Sequence, residues 1–192
     1  MRFNVIISIA LLITVFSGCG SSYTPKPHGY PKIEFPEKSY VRFNDNCAYS
    51  FEIPTYAVVR KDTHMSAEPC WYDITFPQFH VTVYLSYKGI RSQAHLDTLS
   101  EEAYKLAMKN NIKADVIDEQ EIFNPKTGNS GMIYELFGPS ATPYNFYVTD
   151  DSLHYVRGSF YFDQHTKTDS VAPVYEFLKE DLKQMINTLT WK

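Results

Sequence analysis

Four strand-like segments follow one another between residues 114 and 162 with only short turns between them, and this succession limits the fold more than any other feature. The segments are Ala114 to Phe123, Gly131 to Phe137, Tyr144 to Thr149 and His154 to Phe162. Asn124-Pro125-Lys126-Thr127-Gly128-Asn129, Gly138-Pro139-Ser140 and Asp150-Asp151-Ser152 link them with turn-forming residues. Parallel neighbours need a crossover of about a dozen residues or more, so links this short predict antiparallel pairing.

Upstream, Ser50 to Val59 has strand composition, with Pro54 implying an edge or a bulge. Trp71 to Phe76 is a second short run. Phe79 to Tyr87 alternates with period two: Phe79, Val81, Val83, Leu85 and Tyr87 share one face, while His80, Thr82, Tyr84 and Ser86 make a wet or lightly covered one. The period then changes. Leu96, Leu99, Ala103, Leu106 and Ala107 fall on one helical stripe between Ser92 and about Asn110. A second helix, capped by Asp169 or Ser170 and with Pro173 in its first turn, carries the stripe Val171, Val174, Tyr175, Leu178, Leu182, Met185, Ile186 and Leu189. Strand groups separated and closed by helices predict an α+β fold, one antiparallel sheet of about six or seven strands packed against two main helices. The order resembles the PsbP/Mog1 type of domain, whose scaffolds mostly bind partners.

The first eighteen residues hold one charge, Arg2, then an apolar run from Val5 to Phe16 and Ser17-Gly18 before Cys19. A basic start, a short apolar core and small residues before a cysteine describe a lipoprotein leader. The core is shorter than the about 20 apolar residues that a spanning helix needs. Residues 1–18 are therefore expected to be a signal peptide and Cys19 the lipid-bearing residue; an ordinary secretory leader with an incidental cysteine is the competing reading. Residues 19–32, with Pro25, Pro27 and Pro31 and no apolar periodicity, form the lipidated cysteine and a tether, and residues 33–192 a single domain. Drawn out at about 3 Å per residue, the tether reaches roughly 35 to 40 Å. Gly20 stands where many inner-membrane retention signals place Asp, so the periplasmic face of the outer membrane is the expected location.

Once Cys19 is acylated only Cys47 and Cys70 remain, and an oxidising compartment makes a disulfide between them the economical expectation. The formal charge of −4 is scattered along the chain, which disfavours nucleic acid as a partner.

Catalytic signatures are missing. The sequence contains no G-x-S-x-G, phosphate-cradling glycine loop, H-E-x-x-H or C-x-x-C, so no catalytic, cofactor or metal residues are assigned and no cofactor is expected. His80 and His154 could converge with Asp150 or Asp151 as a metal or acid–base site, against which stands a polar strand residue beside an acidic turn. Asp150-Asp151 as a calcium site faces the same objection, since a full site takes about six to eight oxygens. Trp71, Tyr72, Phe76 and His80 make up the candidate partner surface, with burial of Trp71 against the disulfide as the alternative. Glu176, Lys179, Glu180 and Lys183 read as the solvated face of the last helix.

Several blocks carry a broader likeness: Glu34-Phe35-Pro36-Glu37-Lys38, Cys47 to Ala57, Pro69-Cys70-Trp71 with Ile74-Thr75-Phe76-Pro77, Arg157-Gly158-Ser159-Phe160-Tyr161-Phe162, and Ala172 to Asp181 with Thr190-Trp191-Lys192. Together with Tyr23-Thr24-Pro25-Lys26-Pro27, they resemble the gliding-motility lipoprotein GldD family of Bacteroidota. The resemblance implies a non-catalytic accessory or scaffold lipoprotein required for gliding, working with other gliding-motility lipoproteins and the type IX secretion machinery. No catalytic residues come with it. The alternatives are an envelope enzyme, such as a peptidoglycan-acting hydrolase, and a small-ligand-binding lipoprotein.

Overall fold

The computed structural model describes residues 33–109, 116–138, 140, 142–163 and 168–192. The leader, Cys19 and the tether lie outside the described residues. So do the expected helix stop at Asn110-Asn111 and the cap side chains Asp169 and Ser170.

In chain order the elements are β1 (Tyr40–Asn44), β2 (Tyr49–Pro54), β3 (Val58–Lys61), β4 (Tyr72–Phe76), β5 (Val81–Gly89), α1 (Gln93–Lys109), β6 (Val116–Asn124), β7 (Asn129–Phe137), β8 (Tyr144–Thr149), β9 (His154–Phe162), α2 (Thr168–Thr188) and β10 (Thr190–Trp191). Seven strands form one antiparallel sheet in the order β3-β4-β5-β9-β8-β7-β6. The four short-linked segments are its β6-to-β9 meander, and the sheet with its two helices is the α+β arrangement expected.

A three-stranded sheet, β1-β2-β10, is the unexpected part. Residues 50 to 59 are not one strand. β2 ends at Pro54, an edge position where the absent N–H is not missed. The Thr55 N–H closes the pairing with β1 by donating to the Ser39 carbonyl at 2.9 Å, and the Ala57 N–H donates to the Pro54 carbonyl at 3.0 Å in the turn that leads into the large sheet as β3.

Alternation along the strands sends side chains to two faces with different cover. Val83, Leu85, Phe146, Val148, Val156 and Phe160 point into the main core, where Leu178, Leu182, Met185 and Ile186 of α2 meet them together with Tyr49 and Phe51 of β2. The opposite face carries α1. Leu96 and Leu99 pack on Ile90 and Tyr155, and Ala107 packs on Tyr134 and Leu136. Leu106 falls outside this stripe and is 36 % exposed, because it lies about 100° around the helix from the buried Ala107.

Pro173 stands inside α2, since the helix begins at Thr168. Lys179 does not belong to a solvated face either. It pairs with Glu135, whose side chain is 1 % exposed and also accepts a 2.8 Å hydrogen bond from the Tyr175 hydroxyl. A second buried carboxylate, Asp181, accepts from Lys38 Nζ (2.8 Å), Tyr40 (2.8 Å) and Tyr56 (2.6 Å). Phe35 stacks on Phe177 with ring centroids 4.5 Å apart, and Lys38 Nζ sits 3.9 Å above the same ring. The segment leading into β1 is thereby strapped to α2.

Candidate functional site

Cys47 and Cys70 are joined by a disulfide with Cα atoms 5.6 Å apart. The bridge ties the start of β2 to the start of β4, and Cys70 itself takes a left-handed backbone conformation, φ 67°. Its carbonyl accepts from the Tyr49 hydroxyl at 2.8 Å. The turn that delivers Trp71 is thus held covalently and by a buried tyrosine.

The candidate partner surface does not assemble as a patch. Tyr72 and Phe76 are each 2 % exposed, because their positions on β4 face the main core. Burial pushes the Tyr72 hydroxyl pKa well up, and the 2.7 Å hydrogen bond it donates to Asp45 Oδ2 adds to the shift. Trp71 lies on the other side of the strand, half-buried, its indole N–H donating to the Tyr87 carbonyl at 3.0 Å. His80 is exposed and left-handed at φ 51°, capping the short 3-10 turn Pro77–Phe79, so it precedes β5 and is not a strand residue. Of the four residues, only Trp71 and His80 reach the surface.

His80 and His154 are also kept apart. Val81 pairs with Phe162 while Gly89 pairs with His154, which places the histidines at opposite ends of a nine-residue ladder, roughly 27 Å at about 3.4 Å per residue. His154 is spent on structure: its Nδ1 is hydrogen-bonded to the Tyr87 hydroxyl at 2.8 Å and its ring stacks on Trp191 at 5.3 Å. Trp191 in turn donates to Asn129 Oδ1 at 2.7 Å, locking β10 against the large sheet. Asp150 is a turn residue. Its Oδ1 accepts the N–H groups of Ser152, Leu153 and His154 at 3.0, 2.8 and 2.8 Å. Burial raises its carboxyl, but these donors outweigh burial and hold it below the ordinary range. Among the described residues no group of three or more His, Cys, Asp or Glu side chains could hold a metal ion.

A charged cleft lies between α1 and the face of the large sheet that α1 covers. Its outer part, about 460 Å³, is bounded by Glu68, Lys88, Arg91, His95 and Glu102. An inner recess of about 120 Å³ shares Lys88, Leu99 and Glu102 and is floored by Trp71, Tyr155 and Arg157. Lys88 pairs with Glu68 across the mouth, with its ammonium 5.1 Å from the Trp71 ring centroid. The Tyr155 hydroxyl donates to the Leu99 carbonyl at 3.1 Å, fixing the helix to the floor. Burial pushes that hydroxyl pKa up, so it stays a donor at physiological pH. None of the motifs sought in the sequence marks Arg157 or Glu102. The one available signal was the period-two polar run Tyr155-Arg157-Ser159, opposite the apolar Val156 and Phe160.

Two helices on an antiparallel sheet in this order define a PsbP-like α+β domain. The solution structure of cyanobacterial PsbP (CyanoP) from Synechocystis sp. PCC 6803 matches it with a TM-score of 0.51 over 84 % of this chain and 98 % of that one. At 11 % identity the likeness concerns the fold alone. The family model for the gliding motility lipoprotein GldD matches residues 20–191, and the chain belongs to that family. Membership brings a role in gliding motility and association with the cell envelope. No curated protein sequence matches the chain significantly.

Proposed function

We propose that this protein is a lipid-anchored, non-catalytic accessory subunit of the gliding and type IX secretion machinery, held by Cys19 on the periplasmic face of the outer membrane. The observation that carries this reading is the family match, which spans the mature chain from the residue after Cys19 almost to its end. Removal of the leader leaves Cys19 to carry several acyl chains, palmitate among them, each buried methylene contributing about 0.8 kcal/mol, so the anchor is stable. Tethering then supplies high effective concentration towards other gliding-motility lipoproteins and secretion components in the same membrane.

The test is an in-frame deletion complemented with wild type or Cys19→Ala, with surface spreading and the secreted protein profile scored together. Loss of both, restored only by the acylatable form, is the expected result. Intact spreading and secretion in the deletion strain would sink the proposal.

A further inference from the structure

We propose that the cleft under α1 binds a short peptide through both of its charged ends, the carboxylate on Arg157 and the free amine on Glu102. This goes beyond the motility reading and does not depend on it. Arg157 is half-buried on β9 and forms no ion pair among the described residues, nor does Arg91 at the cleft mouth. Glu102, exposed on α1, borders the same recess and likewise forms no ion pair among the described residues. A guanidinium that faces a cavity without a protein partner keeps its donors available to an anionic ligand. Charges of both signs that face one recess without pairing complement a ligand that carries both.

Lys88 and Glu68 satisfy each other at the mouth, which leaves Arg157 as the interior seat for an oxyanion. Guanidinium suits that task, because its planar fork matches a carboxylate with two parallel hydrogen bonds. Trp71 and Leu99 give the recess an apolar wall for a small side chain, and the outer cavity of about 460 Å³ has room for the rest of a di- or tripeptide. The walls are fixed beforehand: the disulfide and the Trp71 indole hydrogen bond hold one side, and the bond from Tyr155 to the Leu99 carbonyl holds the other. Preorganisation of this kind lowers the ordering cost of binding.

The chain has two tryptophans, and only Trp71 lines the cleft, while Trp191 stacks on His154. Isotope-labelled full-length protein, purified from the envelope in detergent, is titrated with di-alanine, and the two indole N–H resonances are followed by NMR. The expected result is a saturable shift at Trp71 with Trp191 unmoved. N-acetyl-di-alanine and di-alanine amide should each bind at least about tenfold more weakly, and Arg157→Gln and Glu102→Gln should weaken di-alanine by a similar factor. Arg91→Gln, at an exposed residue of the cleft mouth, is the second variant; it should weaken binding by a smaller factor. No saturable shift at Trp71 up to about 20 mM, or equal binding of the capped and free peptides, would overturn the proposal.

Discussion

The two faces of the seven-stranded sheet are covered to different degrees. On one side α2 and the three-stranded sheet seal a continuous core in which Leu178, Leu182 and Phe160 are 0 to 2 % exposed. Two carboxylates buried there, Asp181 and Glu135, are met by three and two side-chain donors respectively. On the other side α1 covers only part of the sheet and leaves Tyr84 38 % exposed, Arg157 unpaired and the Asp73 Oδ1 buried without a hydrogen bond. The sealed face also holds one buried hydroxyl without a hydrogen-bond partner, that of Tyr144, so its stability comes from apolar burial and the two satisfied carboxylates, whereas unpaired groups beside a cavity are what a ligand can use. The first face holds the protein together, and the second is the one free to act.

Truncation is the strongest way to break that comparison. Leu182→Ala, in the sealed face, should cost about 4 kcal/mol of unfolding free energy, because the surrounding side chains cannot close the gap. Leu99→Ala, beside the cleft, should cost about 2 kcal/mol, because its small cluster of Ile90, Leu96 and Tyr155 has room to relax. Denaturant melts of the two variants measure the difference. Equal losses would mean that the α1 face is as firmly built as the other.

The ionic centre of the sealed face comes next. Lys179→Met leaves the Glu135 carboxylate buried with only the Tyr175 hydroxyl as a side-chain donor, which should cost about 3 kcal/mol. Adding Glu135→Gln removes the stranded charge and should recover most of that loss. If the double variant is no better than the single one, then the loss comes from packing around the lysine stem and not from charge. Close to this in size, replacing Cys47 and Cys70 together by Ala should cost about 3 kcal/mol in the chain-entropy account. It should also broaden the Trp71 indole resonance while leaving that of Trp191 sharp, since the bridge fixes the turn that leads into the cleft wall.

The sequence shows the sealed face far better than the open one. The stripe of α2 from Val174 to Ile186 and the alternation of β5 are local patterns, and each states its own burial. The second sheet was hidden for physical reasons. β1 is five residues long and mostly exposed, and β10 is two residues long, so neither has room for a period to show. Lys179 and Asp181 look like any charged helix residues until Glu135, 44 positions away from Lys179, and Tyr40, 141 positions away from Asp181, are folded against them. Trp71, Tyr72, Phe76 and His80 do not share one surface, because Tyr72 and Phe76 take the core face of β4 while Trp71 precedes that strand and His80 caps a 3-10 turn. The cleft joins β4, β5, α1 and β9, and no local pattern connects those four.

The smallest effect expected concerns Asp73, on the open face, and its sign is informative. Burial raises the carboxyl pKa, Asp62 adds to the shift and His64 opposes it. The folded protein therefore holds the proton of Asp73 more tightly than the unfolded chain does. Its contribution to stability is most favourable below the unfolded-state value, about 3.9, and is lost as pH rises through the higher folded value. At pH 7 the ionised Asp73 works against folding. Asp73→Asn, which mimics the protonated acid, should raise the melting temperature slightly at pH 7, and that advantage should vanish by about pH 3. A buried carboxylate on the α2 face should give the opposite result, because Asp181→Asn removes charge from a group that three donors already satisfy. If both variants lose stability at pH 7, Asp73 has a partner that the static structure does not reveal, and the contrast between the two faces narrows to packing alone.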